Sequence, residues 1–145
     1  MVIGIIGESC TGKSTLAAKL QKEFGGAVFT GKDYLRLTKN ETIAQKLFCK
    51  KLENAVTGEN IIYVIAEQEH IPILPQQAIR ILVTADLQQI KDRFAARMHG
   101  NLPAPVAAML EKKHGMFDGI RYDFHVISGE TDLDTVVESI KKTNV

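Results

Sequence analysis

Nine residues near the start of the chain restrict its fold more than any others: Gly7-Glu8-Ser9-Cys10-Thr11-Gly12-Lys13-Ser14-Thr15, which read G-x-x-x-x-G-K-S-T. This is the spacing of a loop that wraps polyphosphate. An anion with several oxygens needs donors that converge on one point. A loop that turns its backbone N–H groups inward needs conformations that a Cβ obstructs, and Gly7 and Gly12 supply that freedom. Lys13 is the candidate for the β- and γ-phosphates and Ser14 for a Mg²⁺ ion. Thr15 suits an α-phosphate or the open groups of a helix end. The helix beginning here adds the positive end of its dipole.

The flanks agree with this reading. Val2-Ile3-Gly4-Ile5-Ile6 is an apolar run that reads as a buried strand, and Ser14 to Phe24 puts Leu16, Leu20 and Phe24 on one helical face beside Ala17. ATP and Mg²⁺ are therefore the expected ligands of Gly7 to Thr15.

Beyond the loop, apolar runs alternate with helical patterns. Gly25-Gly26 stops the first helix, and Ala27-Val28-Phe29-Thr30 is a short strand. A helix is expected from Glu41 to Thr57, with Ile43, Leu47, Phe48, Leu52, Ala55 and Val56 as its apolar stripe. Ile61 to Ala66 is rich in β-branched residues and reads as a central parallel strand. Pro72 and Pro75 make the next segment irregular, and Ile79 to Thr84 is a fourth strand. Asp86 caps a helix to about Met98. Gly100 to Pro105 breaks it, and a short helix spans Val106 to His114. Tyr122 to Ile127 reads as an edge strand, and a last helix starts at Thr131 or Asp132 and ends near Lys142.

This alternation predicts an α/β chain of three layers, α/β/α, with a five-stranded parallel sheet. Ligands of such sheets bind outside the carboxyl ends of the strands. The polar residues after strands one, two and three should then meet in one crevice: the phosphate loop, Lys32-Asp33 with Arg36, and Glu67-Gln68-Glu69.

The length of 145 residues fits one domain. A net charge of +1 argues against a general nucleic-acid binder, so phosphate affinity must come from placed groups. The two cysteines, Cys10 and Cys49, make no disulfide framework and point to a reducing compartment. Cys10 is either an oxidisable thiol beside a cationic loop or simply the occupant of a variable position. No basic leader precedes the first strand and no apolar run is long enough to span a membrane, so a cytoplasmic protein without membrane or nucleic-acid partners is expected, monomeric or homodimeric. His70, His99, His114 and His125 are scattered without ligand spacing, and His125 should lie on the surface.

Taken together, these features resemble the small P-loop kinases of the nucleoside monophosphate kinase group, and within it the cytidylate-kinase-like and adenylate-kinase-like proteins. Thr30-Gly31-Lys32-Asp33-Tyr34-Leu35-Arg36 is similar to their T-G-D-x-L-R turn, with Lys32 inserted. The resemblance implies an acceptor-binding segment over about 31–60, in which Arg36 holds an acceptor phosphate. Asp33 either orients or deprotonates an acceptor hydroxyl, approaches Mg²⁺ through water, or merely caps a helix. Ile79 to Asp86, followed by Arg93 and Arg97, is similar to the strand and lid-entry helix of these kinases. Their spacing puts both arginines on one helix face, either toward the transferring phosphates or as part of a surface face. A lid over about 98–121 is implied, and Tyr122 to Ile127 is similar to the Y-D-x-x-I strand that follows it.

Two departures stand out. Ala66-Glu67 replaces the usual aspartate-glycine pair, which makes Glu67 either a Mg²⁺-water and acceptor ligand or a simple polar strand end. The acceptor segment also carries a single arginine. The resemblance thus implies an ATP-dependent phosphotransferase with Lys13, Asp33, Arg93 and Arg97 as catalytic candidates. Its acceptor would be a nucleoside or nucleoside monophosphate. The alternatives are a shikimate- or gluconate-type metabolite kinase and a non-catalytic ATP-binding module.

Overall fold

Five strands lie side by side in one parallel sheet: β1 (Val2–Ile6), β2 (Ala27–Thr30), β3 (Ile61–Ile65), β4 (Ile79–Thr84) and β5 (Phe124–Ile127), in the order β2-β3-β1-β4-β5. The computed structural model describes residues 1–143. Every residue of β1 and β3 is buried. That is why both read as unbroken apolar runs rather than alternating ones.

Helices cover both faces. On one, α1 (Lys13–Phe24) and α5 (Leu133–Thr143) place Leu16, Leu20, Val136, Val137 and Ile140 over Ile3, Ile5, Ile62 and Val64. On the other, α2 (Glu41–Ala55) packs Ala44, Phe48, Leu52 and Ala55 against Val2, Ile6, Tyr63 and Ile65. A third, smaller apolar cluster joins Cys10 and Ala85 to Ile90 of α3 (Leu87–Arg97) and Leu110 of α4 (Ala104–Lys113). Asn40 caps α2 by accepting from Ile43 N–H, 3.0 Å, and Asp86 caps α3 by accepting from Gln89 N–H, 2.8 Å.

Three elements differ from expectation. The buried stripe of α2 runs through Ala44, Phe48, Leu52 and Ala55, while Ile43 and Leu47 are 51% and 46% exposed. Phe48 sets this rotation. Its ring lies 4.8 Å from those of Phe29 and Tyr63 and 5.8 Å from Tyr34. Small Ala44 lets that face approach the sheet. The strand β5 begins at Phe124 rather than Tyr122, because the Asp123 carboxylate takes the Arg80 N–H, 2.8 Å, that a longer strand would use. The segment with Pro72 forms a 3₁₀ turn, Gln68–Ile73. Among the described residues no helix is long and apolar enough to cross a membrane.

Candidate active site

The two loop glycines are required for different reasons. Gly12 has φ +100° and ψ 17°, in the left-handed region that side chains disfavour. Gly7 is needed for space: a Cβ there would lie 2.4 Å from the Val83 carbonyl oxygen. Gly7 N–H donates to Ile65 O, 3.1 Å, which anchors the loop to β3. Thr11 donates its hydroxyl to Glu8 O at 2.9 Å, and the Lys13 ammonium also donates to Glu8 O. Lys13 is buried. Burial lowers its ammonium from the usual lysine range to about 8. Of the nearby groups, Cys10 and Glu8 oppose this, while the Arg97 guanidinium adds to it.

Two cavities flank the loop. The larger, about 480 Å³, lies between the loop, α3 and the turn after β5, and is bordered by Arg93, Arg97, Val126 and Ser128. The smaller, about 240 Å³, lies at the carboxyl ends of β2 and β3, with Lys13, Ser14, Thr30, Gly31, Glu67 and His70 on its walls. Cys10, Gly12, Thr15 and Arg97 border both.

Of the residues expected to meet here, the phosphate loop and Glu67 do; Gln68, Glu69, Lys32, Asp33 and Arg36 border neither cavity. Asp33 and Arg36 are the ends of one 3₁₀ turn (Asp33–Arg36), in which side chains three apart eclipse. Tyr34 of the same turn is buried against Phe48, so the Asp33–Arg36 side turns outward. The Asp33 carboxylate accepts from Thr30 N–H at 2.9 Å and pairs with Arg36 at 3.6 Å. The Arg36 guanidinium carbon lies 5.3 Å from the Phe29 ring centroid. From the segment expected to bind the acceptor, only Gly31 borders the smaller cavity, next to Thr30 of β2.

The arginine pair divides its work. Arg93 donates to Cys10 O at 3.0 Å and so ties α3 to the phosphate loop, whereas Arg97, one turn on, borders both cavities. Glu67 stands at the smaller cavity with Lys113 of α4 3.9 Å away. No group of three or more His, Cys, Asp or Glu that could cage a metal occurs among the described residues. This donor set still suits Mg²⁺, which usually keeps several waters and binds through one or two protein oxygens plus phosphate. Ser14 and Glu67 border the same cavity.

Several site features carry no sequence motif. The segment expected as a lid contains α4 and is docked onto the loop. Glu8 accepts from Gly115 N–H at 3.1 Å and lies 3.1 Å from His114 Nδ1, and its side chain is only 12% exposed. Gln68 donates to Met116 O, 2.6 Å. Tyr63 donates its hydroxyl to Gly31 O, 2.8 Å, and burial pushes that hydroxyl's pKa well up, so it keeps its proton. His70, which fell in no pattern, is buried on the cavity wall. His125 is exposed as expected, with Nε2 2.8 Å from the Thr84 hydroxyl.

No protein-family model matches the chain, and no curated protein matches it in sequence. Solved structures share its fold. TT1252 from Thermus thermophilus superposes with TM-score 0.67 at 16% identity, covering 100% of this chain and 98% of that one. Shikimate kinase from Acinetobacter baumannii, in complex with shikimate, gives 0.63 at 12% identity over 98% and 91%. A gluconokinase from Sinorhizobium meliloti gives 0.59 at 13% identity over 94% and 87%. The α/β fold with its parallel sheet in the order 2-3-1-4-5 thus matches that of these solved kinase structures.

Proposed function

We propose that the chain is an ATP-dependent phosphotransferase that moves the γ-phosphoryl group to a hydroxyl of a small acceptor. The observation that carries this reading is the wall shared by the two cavities, formed by Cys10, Gly12, Thr15 and Arg97. A donor on one side and an acceptor on the other face each other across the phosphate loop, whereas nucleotide binding alone needs one cavity.

In this reading the nucleoside part of ATP occupies the larger cavity and its phosphates cross the loop. The acceptor oxygen bonds to the γ-phosphorus as the bond from that phosphorus to the β–γ bridging oxygen breaks. The bridging oxygen keeps the electron pair and leaves as part of ADP. The hydroxyl proton passes to Glu67, the carboxylate that faces the smaller cavity; Asp33, the other candidate, is held by Thr30 N–H and Arg36. Lys13 and Arg97 neutralise charge on the transferring group, and Arg93 holds the loop in place. Ser14 would hold a Mg²⁺ ion, which would supply further charge neutralisation when bound. The segment of about 98–121 covers the loop and keeps water out. Little covalent chemistry falls to the protein, so catalysis rests on positioning and charge.

For the acceptor, a small hydroxylated metabolite fits better than a nucleoside monophosphate. Arg36, the candidate for an acceptor phosphate, lies over Phe29. The cavity of about 240 Å³ is also smaller than the roughly 300–1,000 Å³ of pockets for drug-sized ligands. The commitment of Asp33 to its own turn favours a second reading, an ATP-binding module without turnover. Assaying ADP release from Mg²⁺-ATP with a panel of sugars, polyols, sugar acids, nucleosides and nucleoside monophosphates separates the two. Acceptor-stimulated release is expected; tight ATP binding with no stimulation by any member would favour the module.

A further inference from the structure

His70 is the unexplained residue of the smaller cavity. Its side chain is 4% exposed, and neither ring nitrogen has a hydrogen-bond partner among the described residues. The nearest charge, Glu69 Oε1, lies 3.7 Å from Nε2, beyond hydrogen-bond range, on a side chain that is itself 69% exposed. The imidazole is wedged between Tyr34 and Tyr63, with ring centroids at 6.2 Å and 6.3 Å. Tyr63 cannot donate to it, because its hydroxyl hydrogen is given to Gly31 O. Leaving a buried polar group unpaired is destabilising, and a phenyl ring among these tyrosines would not carry that penalty. The ring stands on the cavity wall with both nitrogens buried and unpaired, so a small shift of the ring or of its neighbours is what brings a nitrogen to a partner that enters the cavity.

We infer that His70 is the acceptor-recognition residue, and that the acceptor is an uncharged molecule with several hydroxyls; the inference rests on the phosphotransferase reading above. A neutral imidazole offers one donor and one acceptor, which is what a hydroxyl group also offers. The other polar groups on this side are the Thr30 hydroxyl and the Glu67 carboxylate. The two cations, Lys13 and Arg97, belong to the phosphate-loop side, where transferred charge must be met. A carboxylate or phosphate on the acceptor would therefore meet Glu67, and would have to compete with Glu67 for Lys113 and with the transferring phosphate for Lys13 and Arg97. Several hydroxyls would find His70, Thr30 and Glu67.

The test compares wild-type protein with His70→Phe and His70→Gln at saturating Mg²⁺ and a non-hydrolysable ATP analogue. Neutral probes are glucose, myo-inositol and cytidine; anionic probes are gluconate, shikimate and CMP. The ring resonances of His70, assigned by their loss in His70→Phe, should shift with a neutral probe and not with the anionic ones. With ATP, His70→Phe should raise KM for that probe about 10- to 100-fold. It should leave kcat and ATP affinity within about two-fold and the melting temperature undiminished. His70→Gln should recover part of the loss. The inference is overturned if no neutral probe moves the resonances, if an anionic probe moves them more, or if KM is unchanged in His70→Phe. A shift without turnover overturns the phosphotransferase reading and leaves the role of His70 standing. Turnover with an unaltered KM does the reverse.

Discussion

The phosphate loop itself is built from backbone and from one short stretch of chain. Gly7, Gly12, the start of α1 and the Arg93 bond to Cys10 O all act on the same turn. Opposite the loop, the walls of the smaller cavity come from β2, β3 and the 3₁₀ turn that carries His70, and their chemistry sits in side chains far apart in sequence. A phosphate can be held by a conformation, so its site is local. A hydroxylated acceptor must be held by side chains, so its site is assembled by the fold.

This contrast can be broken most sharply at Lys13. Lys13→Ala should lower kcat by about 10²–10³-fold, the scale of losing one preorganised charge donor. The melting temperature should not drop, because the side chain removed is a desolvated cation. Steady-state kinetics with thermal denaturation checks both; a variant near wild-type rate would detach the loop from catalysis. Glu67→Gln should cost about 10²-fold in kcat while ATP affinity stays put, which locates its effect on the acceptor side. Weakened ATP binding instead would move Glu67 to the donor side.

Gly7→Ala should destabilise the fold by about 1–3 kcal/mol in urea titration, since the added Cβ meets a backbone carbonyl that has no room to retreat. Next in size is a pH effect. Only protonated Lys13 attracts phosphate. Burial puts its value in the free protein at about 8, and bound phosphate raises it. Between those two values binding takes up a proton, so ATP affinity should fall as pH rises above about 8, by at most about ten-fold per pH unit. Calorimetry at about pH 9 in buffers of different ionisation enthalpy should show the proton uptake. Smallest of all, Arg36→Ala should change acceptor KM by less than about two-fold, as expected for an exposed pair. A ten-fold rise would return Arg36 to the acceptor site.

The same contrast explains what the sequence made legible. Apolar runs punctuated by Gly25-Gly26, Gly58 and the prolines were enough to order the strands and helices, because burial on both faces leaves β1 and β3 almost no polar residue. The phosphate loop was readable for the same reason: its function is its backbone. The phase of α2 was not, since apolar residues cover a wide arc and only the aromatic contacts of Phe48 choose among them. Arg36 could not be oriented from spacing, because the burial of Tyr34 decides which way its turn faces. His70 had no motif to announce it; only its burial without a partner sets it apart.

The Glu8 carboxylate, gripped by His114 and Gly115 from inside the phosphate loop, has a consequence in time rather than in space. The phosphate loop and the segment docked onto it share one joint. Any movement of that segment away from the loop breaks the joint, which lies on the same residue whose carbonyl accepts from Lys13 and Thr11. In the phosphotransferase reading proposed above, product departure and loop relaxation are then coupled through a position that the phosphate motif leaves open to any residue.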